Sequence, residues 1–89
     1  MSLAKLDAKI SDKRRAMADA VAARKELYTK LDSFSDQIDA LEAVDEPTAE
    51  QTAELEGLYA SHKKVSREVA DAGDETRKLE GEVNALEAQ

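Results

Sequence analysis

Val44-Asp45-Glu46-Pro47-Thr48-Ala49-Glu50-Gln51 is the stretch that decides the fold. Pro47 lacks a backbone donor and pushes Glu46 out of the helical region, so a helix arriving from the N-terminal side has to stop here. Thr48 followed three residues later by Gln51 has the form of a capping box, and Glu50 sets negative charge against the positive end of a new helix. The spacing predicts one domain with a first helix over about 3–44, a turn over about 45–48 and a second helix over about 49–88. A connection this short makes the helices antiparallel neighbours, each about 60 Å long at 1.5 Å per residue.

Outward from the turn, both flanks carry a heptad stripe. Alternate steps of three and four from Leu3 reach Leu6, Ile10, Lys13, Met17, Ala20, Arg24, Leu27, Leu31, Phe34, Ile38 and Leu41. The same steps from Leu55 reach Leu58, His62, Val65, Val69, Ala72, Thr76, Leu79, Val83 and Leu86. Such a register predicts two coiled-coil seams, and hence an all-α, two-helix antiparallel hairpin. The core expected from it is Leu6, Ile10, Met17, Leu27, Leu31, Phe34, Ile38 and Leu41 against Leu55, Leu58, Val65, Val69, Leu79, Val83 and Leu86. Thr48 is the expected helix cap.

Pairing Leu41 with Leu55 also pairs Ile38 with Leu58, Leu31 with Val65, Leu27 with Val69, Met17 with Leu79 and Ile10 with Leu86. The flanking seats then bring Lys30 towards Glu68 and Arg14 towards Glu80, both attractive, and Asp7 towards Glu87, which is repulsive. Gly73 falls opposite Val21 in this register, where a missing side chain permits close approach. Lys13 and Arg24 interrupt the seam. Either their stems pack while their charged heads reach water, or they specify register or oligomer state, as polar seam residues do elsewhere.

Composition agrees with long helices and excludes several classes of function. The chain has 89 residues, no cysteine, three aromatic residues and 37% charged residues. Without cysteine there are no disulfides or thiolate metal sites. No stretch is apolar enough for a signal core or a membrane span, so an intracellular location is expected. His62 is the only histidine and sits in the seam, where packing against Phe34 is the expected role. It has neither the further ligands of a zinc site nor the oriented partner of a catalytic base. The acids near the turn lack the spacing of a calcium loop, and the bases around Lys13-Arg14-Arg15 have no aromatic platform for nucleic acid. The expectation is a protein that is not an enzyme, has no cofactor or metal, and takes no nucleic acid, membrane or small-molecule substrate.

The charge is unevenly spread: residues 31–62 hold nine acids and no lysine or arginine, within a net charge of −7. Val21, Tyr28 and Tyr59 lie beside the seam on one flank, with Ala16 and Ala23 on the other. That stripe is wider than two helices need, so self-association through Val21, Tyr28 and Tyr59 into a four-helix bundle is expected. An antiparallel arrangement would keep the acidic ends apart and set each beside the Lys5-to-Arg15 end of its partner.

Pro47-Thr48-Ala49-Glu50-Gln51-Thr52-Ala53-Glu54-Leu55-Glu56-Gly57-Leu58 resembles the segment that opens the second helix in the N-terminal scaffolding (delta) region of tailed-phage major capsid proteins with the HK97 fold. Pro47 stands where that family has leucine, and Asp45-Glu46 where it often has Gly-Arg. In the family a charged, heptad-patterned helix precedes this segment, and the region guides prohead assembly before it is removed. The resemblance implies Thr48 as cap, Leu55 and Leu58 as first seam contacts, and a capsid-assembly scaffold that binds itself and a capsid protein in the host cytoplasm or immature capsid. The alternatives from the residues alone are an adaptor presenting an acidic end to a basic partner, or a generic or designed helical spacer.

Overall fold

A computed structural model describes residues 2–89, of which α1 spans Leu3–Glu42 and α2 spans Ala49–Glu87. The protein is an antiparallel helical hairpin, 90% helical, with no strand among the described residues. α1 ends at Glu42, short of the expected Val44. Its last turn contains no base, while Glu42, Asp45 and Glu46 crowd acid charge against the negative end of the helix dipole. The chain leaves α1 through a tightened turn, with the Val44 amide donating to the Leu41 carbonyl at 3.2 Å. No described residue has a positive φ, so the reversal uses no left-handed position and needs no glycine.

Each helix start is capped. The Thr48 hydroxyl accepts from the Gln51 amide at 3.1 Å, and the Gln51 side-chain carbonyl accepts from the Thr48 amide at 2.9 Å, which closes the capping box. Thr48→Ala is expected to cost about 0.5–2 kcal/mol, read as a shift of the denaturant midpoint. At the other start, the Ser2 hydroxyl accepts from the Lys5 amide at 3.2 Å. The sequence reading did not find this cap, because position 5 is a lysine and the reciprocal half of a capping box is missing.

The chain divides into two compact units, an open-end unit of Met1–Lys25 with Ala70–Gln89 and a turn-side unit of Glu26–Val69. In the turn-side unit Ile38, Leu58, Val65 and Val69 are buried, and Leu27, Leu31, Phe34, Leu41, Leu55 and His62 are half-buried. In the open-end unit Leu79 and Val83 are buried, with Leu6, Ile10, Met17, Ala20, Ala72, Thr76 and Leu86 half-buried. Leu3 is 79% exposed and takes no part in the seam. Burial stops at 5% exposure for Val83, the lowest among the buried apolar residues, because two helices can cover a seam residue from only one direction.

Gly57 and Gly81 lie at exposed helical positions, where an added Cβ meets nothing within 4 Å. Each substitution to alanine is expected to add about 0.5–1 kcal/mol of stability by restricting the unfolded chain. Thermal melts of the single and double variants measure it. Gly73 differs: an added Cβ would lie 3.2 Å from the Arg24 guanidinium carbon, so Gly73→Ala should gain less.

Candidate helix-packing interface

The interface is built from the seam and from the polar groups that cross it. Lys13 occupies a seam seat, and its Nζ lies 2.6 Å from Glu82 Oε2. Glu82 stands one residue before Val83, the seat opposite Lys13 in the expected register. The Lys13 ammonium thus meets a specific acid on α2 while its side chain stays 43% exposed, a geometry that both readings of Lys13 allow. Thr76, another polar seam residue of the unit, donates its hydroxyl to the Ala72 carbonyl at 2.9 Å and so satisfies its own side chain.

Arg24 reaches across to the backbone of α2 at Gly73. The guanidinium sits within 3.2–3.6 Å of where a Gly73 Cβ would be. The expected neighbour of Gly73 was Val21, and the structure corrects this to Arg24. The physical reason is size: opposite Arg24 the register places Ala72 and then Gly73, two small residues that leave room for a planar guanidinium.

The expected Arg14–Glu80 pair is also corrected, because Arg14 pairs with Glu87. In an antiparallel pair the heptad edges that meet run in opposite directions, and the partner lies one heptad beyond Glu80. Glu87, for which a repulsive approach to Asp7 was expected, is therefore paired with a base. In the turn-side unit, Lys30 and Glu68 line one open groove together with Phe34, Ser61, Lys64 and Val65.

Tyr59 was expected on the self-association flank. Its hydroxyl donates to the Glu42 carboxylate, and the ring stays 46% exposed. Val21 and Tyr28 are 52% and 44% exposed on α1, and Ala16 and Ala23 are exposed as well. The turn-side unit carries eleven acids and four bases, which is the whole net charge of −7, whereas the open-end unit carries nine of each.

Two titrations follow from these contacts. The hydrogen bond from Lys13 holds the Glu82 carboxyl below its ordinary value of 4.5, against desolvation, which acts the other way. A lowered pKa stabilises the fold above the unfolded value, and that contribution drains away as pH falls through the folded value. The hydrogen bond to Glu42, with desolvation and the nearby carboxylate charge, raises Tyr59 above 10.0, so its contribution is complete below that pH and is lost as pH rises through the folded value. Glu82→Gln is expected to flatten the acid limb of the stability profile below about 4.5 and Tyr59→Phe the alkaline limb above 10.0, each relative to the parent chain. Circular dichroism melts across pH measure both.

Among the described residues no group of three or more His, Cys, Asp or Glu is placed to hold a metal ion, and no helix is long and apolar enough to cross a membrane. His62 is half-buried in the turn-side unit. No protein-family model, curated protein or solved structure matches this chain.

Proposed function

We propose that this chain is a non-catalytic interaction module that works by helix packing, and that its specific role is that of a capsid-assembly scaffold. The observation that carries the packing reading is the seam. The six apolar residues with 9% exposure or less, Ile38, Leu58, Val65, Val69, Leu79 and Val83, all occupy heptad seats, so the apolar surface is spent on holding helices together. The surface outside it is charged and grooved, suited to docking other helices. The capsid role rests on the likeness of residues 47–58 to the scaffolding region of phage capsid proteins. Fractionation of phage assembly intermediates tests it: the chain should sediment with immature particles and be depleted from filled heads. Its absence from immature particles would end the capsid reading.

An adaptor that offers its acidic end to a basic partner is the second reading. The concentration of net negative charge in the turn-side unit favours it. It predicts binding of a cationic helical peptide that is lost when Asp45, Glu46, Glu50 and Glu54 are changed to their amides. Binding that survives those changes would remove this alternative.

A further inference from the structure

The four bases of the turn-side unit, Lys30, Lys63, Lys64 and Arg67, are all exposed. Among the described residues none of them makes an ion pair or a hydrogen bond, although the same unit holds eleven acids. Nine of those acids lie within residues 31–62, which contain no lysine or arginine. Helix geometry keeps the bases away from the turn: Lys30 lies about 18 Å along α1 from its end at Glu42, and Lys63 about 21 Å along α2 from its start at Ala49, at 1.5 Å per residue. The turn of a chain therefore cannot reach that chain's own bases.

The bases border apolar surface. Lys30 and Lys64 line an open groove of about 400 Å³ together with Phe34 and Val65, and Lys64 also lines a neighbouring groove with Lys63 and Arg67. The turn has the inverse character. Pro47 is exposed there, and Asp45, Glu46 and Glu50 around it are exposed and carry no ion pair. Opposite charges set around matching apolar surfaces select a partner and speed its arrival.

We propose that the turn of a second copy of this chain docks in the groove of Lys30, Phe34 and Lys64, with Pro47 against Phe34 and with Glu46 and Glu50 towards the lysines. This names the basic partner of the acidic end. It deepens the interaction-module reading in its adaptor form and rests on it, but it does not depend on the capsid role. Both surfaces belong to the turn-side unit, so the docking involves only that unit of each copy. Glu68, half-buried, is the one acid among the residues lining the groove and opposes the incoming turn. The attraction acts between exposed groups and is screened by salt, because the screening length falls from about 30 Å at 0.01 M to about 3 Å at 1 M.

Two full-length variants separate the surfaces: Lys30→Gln with Lys64→Gln disables the groove, and Glu46→Gln with Glu50→Gln disables the turn. In sedimentation equilibrium at low salt the parent chain should self-associate, and that association should weaken tenfold or more at high salt. Each double variant alone should be monomeric at the same concentration with its helicity retained. Their equimolar mixture should recover association, because an intact turn then meets an intact groove. Glu68→Gln should tighten the parent's association several-fold. A parent that stays monomeric and fully helical at hundreds of micromolar, a mixture no more associated than its components, or association that survives the groove variant would each overturn the proposal. Binding of duplex DNA or of anionic vesicles through the four bases, without self-association, would also overturn it and give the groove a different occupant. A turn that binds a cationic peptide while the chain stays monomeric would reject this docking and leave the adaptor reading standing.

Discussion

Val65→Asp is expected to abolish the folded turn-side unit. Val65 is 7% exposed at a seam seat of α2, and aspartate there trades an apolar contact for a buried carboxylate, which Lys30 and Lys64, lining the same groove, can meet only if it leaves the seam. Losing the valine forfeits about 1.5–3 kcal/mol of burial, and removing an unpaired carboxylate from water adds several kcal/mol unless it protonates or the helices part. A small domain stapled by neither disulfide nor metal has little more stability than that to lose. Leu31→Asp on the facing helix should be milder, because Leu31 is only half-buried and its replacement has a path to solvent. Far-ultraviolet circular dichroism decides it: Val65→Asp should lose most of its helical signal at 25 °C. A cooperative melt at the parent temperature would show that Val65 is not in a seam at all.

In the open-end unit the largest expected loss without introduced charge is at Leu79, which is 7% exposed. Leucine-to-alanine changes in closed cores cost about 2–5 kcal/mol, the upper part of that range reflecting a cavity that the surroundings cannot fill. A seam between two helices is open to water on both flanks and cannot seal a cavity, so Leu79→Ala should fall near the lower end. Urea titration should show a reduced midpoint at an unchanged slope. A loss of less than about 0.5 kcal/mol would match a surface position.

The helices and their seam were legible because heptad spacing and helix geometry are the same information: a residue every three or four positions lands on one face. The turn was legible for an equally local reason, since Pro47 and the Thr48–Gln51 pair act on the backbone beside them. The cross-helix polar contacts were not, because they depend on how heptad edges oppose one another and on the sizes of facing residues. Arg24 over Gly73 and Lys13 with Glu82 both had a readable signal once the opposite seat was inspected: two small residues in one case, an adjacent acid in the other. The Tyr59 hydrogen bond was not legible either, because an aromatic ring beside a seam carries a polar hydroxyl whose partner, Glu42, lies on the other helix. The function is least legible, since a packing surface names no partner.

The base-free stretch around the turn has a consequence for how the chain can be cut. A protease that cleaves after lysine or arginine finds no site between Lys30 and Lys63, and so cannot nick the connection between the helices. Trimming by such an enzyme would remove the open-end unit piecewise and leave Leu31–Lys63 as one covalent product, still holding its capping box and the Leu41, Leu55 and Leu58 contacts nearest the turn. An enzyme that cleaves after glutamate would do the reverse, cutting after Glu42 or Glu50 on either side of the turn, because Pro47 protects the bond after Glu46, and so unlinking the two helices.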